Sequence, residues 1–467
     1  MCDIGTDPCP EALGGKDGQS HKGGTMSRRS PGGIDPRGIP THLENLFPPE
    51  QVRALARETG LVRRERKLDP LAVLWVLILN FGVHLQRSLA YLKRCYEERT
   101  ETHLWDSSWY ERFTPHMAKF LKACVELGLA QTANKVHKTL ALELRKFKDV
   151  LIQDSTIIRL HRALAKKWPA TRSRKVAAGV KVATLISAVA NGPKTVAIHG
   201  ERTSDVKTLR IGSWVRNRIL LLDLGFYKFR MFARIAENGG FFVSRLKDNG
   251  DPLFLSSIKV HRGQAIDLSG KRWSQVKDLV MRNVLDAEVE IAFSRRRYAG
   301  KSSPDRIAVR MVAVFNPESE RYHVYLTNIP PDVLGPEDIA ALYRARWEIE
   351  LVFKELKSKY ALGVINTRKA CIVECLIWTA ILTLLVSRRL YNLLRTSAPP
   401  DKVARYTPLR WANTFTENGT RLLTALMGHF GLGPPDKDGF KSVARMWEHQ
   451  ALDPHVKRHQ LPRKWWA

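Results

Sequence analysis

Residues 343–357 read YRARWEIELVFKELK and carry the most specific pattern in the 467-residue chain. At about 100° per residue, a continuous helix places Tyr343, Arg346, Glu350 and Lys357 within roughly 60° of one another. This stripe combines one carboxylate with an aromatic hydroxyl and two cations. A helix that only packed against a core would carry apolar residues at this spacing. The pattern therefore predicts one helix that offers a metal-binding or proton-accepting group among several phosphate-binding groups.

Basic residues outnumber acidic residues along the whole chain. There are 76 Lys and Arg against 46 Asp and Glu, a formal net charge of +30, in a chain that is 44% hydrophobic. Any single basic cluster could be a solvated face, but several independent clusters in a folded chain favour a polyanion as partner. Nucleic acid is the commonest such partner. The clusters lie at residues 63–67, 145–146, 172–175, 295–297, 388–389 and 463–464.

The cysteines and the apolar segments exclude several classes of protein. Six cysteines are scattered without metal-ligand spacing, which does not fit a disulfide-rich secreted protein and indicates a reducing cytoplasm. The first residues are polar and rich in Gly, without an apolar signal core. The longest apolar stretch, residues 377–386, is too short to span a bilayer. We therefore expect it to form a buried helix and expect no membrane partner.

The chain is too long for one ordinary core, so several units are expected. Helical apolar periodicity precedes Phe147, and short β-rich segments alternating with helices follow it, which indicates an α/β core with a mixed sheet. The helical part could bind DNA ends, or it could serve packing or dimerisation. We predict a disordered N-terminus at 1–40, a helical DNA-end-binding domain at 41–146, the core at 147–249 and 336–398, a β-strand insertion at 250–335, and a basic C-terminal region at 399–467.

Two aspartates follow apolar runs that are predicted to be strands of the same sheet. Asp154 follows residues 150–153 and Asp223 follows residues 219–222. Side chains at the carboxyl ends of strands often form the site of an open α/β sheet. With Glu350 they make three carboxylates, which repel one another unless cations lie between them. Hard oxygen ligands beside a phosphate substrate favour Mg²⁺, and two ions about 4 Å apart can catalyse an in-line phosphoryl displacement.

Each acid also has an ordinary structural interpretation. An Asp after a strand is more often a turn former or a helix cap than a ligand. Glu350 could be a surface residue paired with Lys354 one turn later. The prediction of a metal site therefore depends on the three acids acting together.

Other polar groups compete for a place in the site. Asp205 and Glu201 lie near the core, and Asp205 is expected to cap the helix that follows it. His199 could contact a ligand, but an ordinary structural role is the simpler expectation. Cys371 and Cys375 share a helix face and are expected to be buried. The arginines at 295–297 could follow a DNA backbone or form a solvated turn.

The spacing Tyr343-(2)-Arg346-(3)-Glu350-(6)-Lys357 resembles the signature of the insertion sequence four family of bacterial DDE transposases, at all four positions. Further resemblance lies at residues 154–156, 223–227, 241–247 and 326–330. Together these segments span residues 150–385, about half of the chain.

This resemblance implies a fold and a site. The fold is an α/β RNase H-like mixed-sheet catalytic core interrupted by a β-strand insertion, with an N-terminal helical domain and a helical C-terminal region. Asp154, Asp223 and Glu350 would be the catalytic acids and the ligands of Mg²⁺, for which Mn²⁺ could substitute. Tyr343, Arg346 and Lys357 would bind DNA phosphates near the cut end.

The sequence therefore predicts a cytoplasmic bacterial transposase that acts on double-stranded DNA, both transposon ends and target. Water would first attack the phosphodiester at the element end, and the freed 3′-hydroxyl would then attack the target. A homodimer is expected in the synaptic complex, because two ends must be brought together. Two alternatives remain open at this point: an RNase H-like DNA nuclease without strand transfer, and a catalytically silent DNA-binding protein derived from a transposase.

Overall fold

The computed structural model describes residues 33–64, 68–81, 88–132, 135–171, 177–257, 267–280, 282–295, 301, 303–363, 365–455 and 465. Most of the N-terminus predicted to be disordered, and the basic clusters at 172–175 and 463–464, lie outside these residues. The last residues of the 1–40 segment are helical, however, because a helix begins at Gly38 and buries Ile39 and Pro40.

The described residues form helices at both ends of the chain and strands in its middle. The helices are α1 Gly38–Glu44, α2 Pro49–Glu58, α3 Pro70–Phe81, α4 Leu89–Thr100, α5 Asp106–Tyr110, α6 Pro115–Thr132, α7 Asp205–Thr208, α8 Phe229–Glu237, α9 Trp273–Val276, α10 Pro336–Arg344, α11 Trp347–Ser358, α12 Ala370–Ser397, α13 Pro400–Val403, α14 Pro408–Glu417, α15 Gly419–His429 and α16 Gly439–Gln450. The strands are β1 Asp149–Leu160, β2 Ala178–Ser187, β3 Gly192–Gly200, β4 Arg218–Leu222, β5 Phe241–Arg245, β6 Leu253–Ser257, β7 Val284–Ser294, β8 Pro304–Asn316 and β9 Arg321–Thr327.

All of these strands belong to one mixed sheet. Their order is β3-β2-β1-β4-β5-β9-β8-β7-β6. β1, β4 and β5 are parallel neighbours, whereas β2 and β3 add antiparallel strands on the other side of β1. Residues 149–153 of β1 and 219–222 of β4 are buried, as expected for parallel strands covered on both faces. The α/β core with a mixed sheet is therefore confirmed.

The strands of the region predicted as an insertion continue this sheet. β9 pairs antiparallel with β5, and β8, β7 and β6 follow outward from it. A buried ion pair anchors the region to the segment before α10. Arg310 makes a bidentate contact with Asp286 at 2.7–2.8 Å and also donates to the carbonyl of Leu334 at 2.8 Å. The strands of 250–335 thereby help to hold the start of α10 in place.

The N-terminal helices share an apolar core with the central and C-terminal helices. α3 begins at Pro70 because the carboxylate of Asp69 accepts the N–H groups of Leu71 and Ala72 at 2.8 and 2.9 Å, an N-cap that satisfies two free helix donors. Every residue of α3 is buried. Its neighbours include α12, to which it is joined by a hydrogen bond from Thr383 to the carbonyl of Ile78.

Helix α12 is longer than the apolar stretch at 377–386 suggested. It has 28 residues, so the expectation of a segment too short to span a bilayer is wrong. By length and composition it could cross a membrane, but 78% of its most apolar window is buried inside the protein. Its burial as a core helix is therefore confirmed.

The residues predicted to form one long helix form two. α10 ends at Arg344 and α11 begins at Trp347. The intervening main-chain N–H groups bond three residues back, Ala345 to Leu342 and Arg346 to Tyr343. This tighter turn shifts the stripe, because Tyr343 lies on α10 while Glu350 and Lys357 lie on α11.

A buried polar network fixes α11 against α12. Glu355 on α11 is fully buried and pairs with Arg388 on α12. The Tyr360 hydroxyl contacts Glu355 at 2.7 Å and Ser387 at 2.5 Å, and the Trp411 indole donates to Ser387 at 2.9 Å. These contacts hold α11 against α12 and thereby help to fix the position of Glu350.

Candidate active site

The two aspartates lie side by side where β1 and β4 stop pairing. The last paired residues are Gln153 and Leu222. Asp154 and Asp223 are the next residues of the two parallel strands, so they reach the same edge. Asp223 follows the end of β4, but Asp154 does not end its strand, since β1 continues to Leu160 against β2. The prediction of a strand tip is wrong for Asp154, which lies at a step where β4 ends and β1 goes on.

The guanidinium of Arg346 contacts all three predicted acids. Its Nη2 lies 2.5 Å from Glu350 Oε1, its Nη1 lies 3.6 Å from Asp154 Oδ2, and its Nε lies 3.9 Å from Asp223 Oδ1. Arg346 is the connector between α10 and α11, so the break between these helices aims it at the sheet edge. The structure thus brings the two aspartates and the glutamate together around one cation.

Glu350 takes a different partner from the one that helix spacing offered. Lys354 lies one turn after it, but the carboxylate accepts from Arg346, one turn before it. A third of the Glu350 side chain is exposed. Its first-turn position on α11 places it near the positive end of the helix, which favours a carboxylate.

The acidity of Asp154 is perturbed by its surroundings. Burial, together with the nearby charges of Asp223 and Asp205, raises the pKa of Asp154 to about 6. A hydrogen bond from the Ser155 N–H and the charge of Arg346 act in the opposite direction. A carboxyl group with this pKa gains strongly from any cation that approaches, because the cation stabilises the ionised form.

The three carboxylates are suitable ligands for a divalent ion, and the Arg346 guanidinium lies among them. Three carboxylates from converging elements offer the hard oxygen ligands that Mg²⁺ and Mn²⁺ take. As they are placed around the guanidinium, no group of three His, Cys, Asp or Glu side chains within the described residues could hold a metal ion. The Arg346 guanidinium lies among the three carboxylates, so it would compete with a metal ion for them.

Tyr343 lies behind the acids. Its side chain is buried, and its hydroxyl donates to the carbonyl of Leu222, the residue before Asp223, at 3.3 Å. Its ring contacts the ring of Tyr325 with centroids 5.3 Å apart, and the Arg346 guanidinium carbon lies 6.0 Å from its centroid. Tyr343 therefore supports both Arg346 and the end of β4, and its contact with phosphate stays a prediction.

Lys357 lies farther along α11, beside another cation. Burial and the charge of Arg159 lower the pKa of Lys357. Arg159 lies on β1, beyond Asp154, and pairs with Glu201 at 2.6 Å. The two cations extend the positive surface away from the acids along the open part of β1, and the phosphate contact of Lys357 stays a prediction.

A fourth acid stands beside the site and was assigned another role from the sequence. Asp205 does not cap its helix, because Ser204 occupies the cap position of α7. Its carboxylate accepts from the Ser155 hydroxyl at 2.6 Å and from Lys181 at 2.8 Å. Lys181 is the only charged residue of the apolar strand β2. This exception to the apolar pattern could have indicated that an acid such as Asp205 lies beside the strand.

The remaining competitors have structural partners or lie apart. Glu201 is buried and pairs with Arg159. The pKa of His199 is lowered by burial and by the charge of Lys181, which keeps the imidazole neutral. Cys375 is buried and Cys371 partly so, and both are free thiols. Of the 295–297 arginines, Arg295 pairs with Glu237 and Asp305 at 2.5–2.6 Å, and the other two lie outside the described residues.

Comparison with known proteins identifies the family of the chain. Residues 145–386, more than half of the 467, match the family described as "Transposase DDE domain". The chain is 22% identical over 369 residues to the transposase for insertion sequence element IS231F of Bacillus thuringiensis subsp. israelensis, covering 71% of this chain and 75% of the relative. It is 19% identical over 375 residues to the transposase for element IS1151 of Clostridium perfringens, covering 74% and 78%.

Among solved structures, the chain is similar to a piggyBac transposase described in a synaptic complex with hairpin DNA. The TM-score is 0.44 at 11% identity, covering 94% of this chain and 89% of that one. The family match spans β1 to α12 and includes the three acids around Arg346. The chain therefore belongs to the transposase DDE domain family and is a DNA transposase of the bacterial insertion-sequence type.

Proposed function

We propose that this transposase cleaves the ends of its element and joins the 3′-hydroxyl ends to target DNA, with Asp154, Asp223 and Glu350 as the catalytic acids. The observation that carries the proposal is the convergence of these three carboxylates on one cation, within 3.9 Å of the Arg346 guanidinium. Separate elements, β1, β4 and α11, supply one acid each. Three carboxylates brought this close repel one another and destabilise the fold unless a cation lies among them.

The three acids would hold Mg²⁺, or Mn²⁺ in its place. When bound, such ions supply charge stabilisation and activation of an oxygen nucleophile in phosphoryl transfer. The contribution of the protein itself is to hold the acids in position. The network of Glu355 and Arg388 holds α11, the paired strands hold the aspartates, and Tyr343 supports the end of β4.

Arg346 and Lys357 would contact the phosphates of the DNA end. Once displaced from the acids, the Arg346 guanidinium remains beside them and can make a bidentate contact with a phosphate. Lys357, with its lowered pKa, lies beside the charge of Arg159 and gains from an anion that reaches both. Tyr343 would have to exchange its bond to the Leu222 carbonyl for one to phosphate.

Two finer assignments follow from the signature and the topology. We assign the chain to the insertion sequence four family because all four signature positions surround or extend from the site. The strand order β3-β2-β1-β4-β5, with β1, β4 and β5 parallel and β2 antiparallel, supports an RNase H-like core. The strands from β6 to β9 would be the insertion between the second Asp and the Glu.

The wider assembly is proposed from the reaction itself. Double-stranded DNA would bind as element end and as target, with the helices of 41–146 on the end. Two copies of the chain would hold two ends in a homodimeric synaptic complex. The place of action would be the bacterial cytoplasm, where the four described cysteines, all free thiols, remain reduced.

Charge-removing variants test the acids one at a time. Asp154→Asn, Asp223→Asn and Glu350→Gln should each lower cleavage of an element end by at least about a thousandfold and leave DNA binding within about threefold, since catalysis here rests on metal clamping. Glu348→Gln is the matched control, because it removes a carboxylate from the same helix outside the cluster. An acid variant that cuts at the wild-type rate would remove that residue from the site.

Strand transfer is tested separately with a pre-cut end. The wild-type protein should join a 3′-hydroxyl end to target DNA without a prior cleavage step. Cleavage without joining would instead identify a nuclease. End binding without any metal-dependent reaction would identify a silent DNA-binding derivative.

A further inference from the structure

Arg389 on α12 is a buried cation that has no acidic partner among the residues that the structure describes. Its side chain is 6% exposed, and its Nε is buried without a hydrogen-bond partner. The other deeply buried cations of the described chain each have a carboxylate: Arg388 has Glu355, Arg310 has Asp286 and Lys181 has Asp205. A guanidinium that is removed from water without an anion destabilises the fold, so an anion that binds Arg389 would stabilise the protein.

Further basic groups from other elements surround Arg389. His137 and Lys135 lie in the segment after α6, and His42 lies in α1. His137 Nε2 and His42 Nδ1 are both buried without a partner. The pKa of His137 falls to about 4 through burial and through the charges of Arg389 and Lys135. Burial and the charge of Arg389 also lower the pKa values of His42 and Lys135.

The backbone around this cluster leaves a small open space. A cavity touches His137 and Arg389 together with Gly192, which begins β3, and its volume of about 10 Å³ has room for one oxygen atom. The main-chain N–H groups of His137 and Lys138 donate to the carbonyl of Val189, which fixes the segment against the end of β2. Val136, between Lys135 and His137, is strongly exposed, and Lys135 and His137 are partly exposed.

We propose that Arg389 and His137 form an oxyanion site that binds a phosphate group. An oxygen of the phosphate would enter the cavity and accept from Arg389 Nε and His137 Nε2, and it would thereby supply the partner that both atoms lack. The chemistry suits either free phosphate or a phosphodiester of the DNA backbone. The second source rests on the proposed DNA-cleaving function, whereas the first does not.

Main-chain contacts relate the site to the strand that carries Asp154. The N–H of Val189 donates to Asp149, the first residue of β1, at 3.1 Å. Asp154 lies five residues farther along the same strand, about 17 Å away at roughly 3.3 Å per residue. The segment that carries His137 is therefore tied to the start of β1, and the acids lie farther along that strand.

Binding of inorganic phosphate by the full-length protein tests the site without DNA or metal. The melting temperature of the wild type should rise with sodium phosphate at constant ionic strength. Arg389→Gln should abolish this rise and melt higher than wild type in phosphate-free buffer, because it removes an uncompensated buried charge. Arg389→Lys should keep part of the response, and Arg421→Gln, which removes an exposed cation from α15, should keep all of it. A wild type that ignores phosphate, or an Arg389→Gln variant that melts lower and still responds, overturns the site.

The salt dependence of DNA binding then separates the two sources of phosphate. Loss of one backbone contact in Arg389→Gln should reduce the slope of log K against log salt by about 0.9. An unchanged slope together with a lost phosphate response assigns the site to free phosphate. Because both measurements use binding, the inference can fail while the acids still cleave, and Asp154→Asn can lose cleavage while the phosphate response persists.

Discussion

Replacement of Arg346 by Gln provides the sharpest test of the acid cluster. At an effective dielectric constant of 20, contacts at 2.5, 3.6 and 3.9 Å correspond to about 4–7 kcal/mol each before desolvation and screening. The Asp154, Glu350 and Asp223 side chains are 20–40% exposed, so solvent screens much of this energy. A net coupling of about 2–3 kcal/mol remains, below the value of about 3–5 kcal/mol for breaking a fully buried pair.

Two measurements follow from that coupling. Without divalent ions, Arg346→Gln should be destabilised by about 2–3 kcal/mol, because three acids lose their shared cation. A metal ion no longer has to displace the guanidinium, so Mg²⁺ should bind at least about tenfold more tightly, since about 1.4 kcal/mol corresponds to a tenfold change. Isothermal titration calorimetry with Mg²⁺ and with Ca²⁺ measures this directly.

A matched control separates the cluster from the overall charge of the protein. Arg344→Gln removes the same charge two residues earlier, from an exposed side chain at the end of α10. It should leave stability and metal affinity unchanged. The reasoning is refuted if Arg346→Gln binds Mg²⁺ no more tightly than the wild type and has the same melting temperature. The guanidinium would then not be competing with the metal ion for the acids.

Two further predictions concern the scaffold. Arg388→Leu leaves the fully buried Glu355 without its cation and should lower the free energy of unfolding by about 3–5 kcal/mol in thermal or urea unfolding. Adding Glu355→Leu should recover most of this loss. A single variant whose stability is within about 1 kcal/mol of wild type contradicts the network. The pKa of His137 is lowered from 6.5 to about 4, so its neutral form stabilises the fold fully above pH 6.5, and this contribution is lost as the pH falls from 6.5 to 4. The shift alone would correspond to about 3 kcal/mol, and solvent screening of this partly exposed side chain makes the contribution smaller. His137→Gln should flatten that part of the pH–stability curve in phosphate-free buffer, whereas an unchanged slope would assign the acid sensitivity to other groups.

Local sequence patterns were sufficient for several elements of the fold. The helices before Phe147, the change there to a mixed sheet, and the burial of the apolar helix around 377–386 could all be predicted. These features depend on periodicity and on capping, which act over a few residues. The limits of β1, by contrast, could not be predicted. Its continuation to Leu160 depends on pairing with β2, which is a distant part of the chain.

The residue types, the charge excess and the signature spacing determined the family and the candidate acids of this protein, because they are properties of the chain order alone. Only the tertiary structure decided that α10 and α11 are separate, and that the break turns Arg346 into the shared cation of Asp154, Asp223 and Glu350. It also left Arg389 buried among histidines without a carboxylate. Charges interact through space, and a one-dimensional pattern contains no information on which of them folding removes from water together.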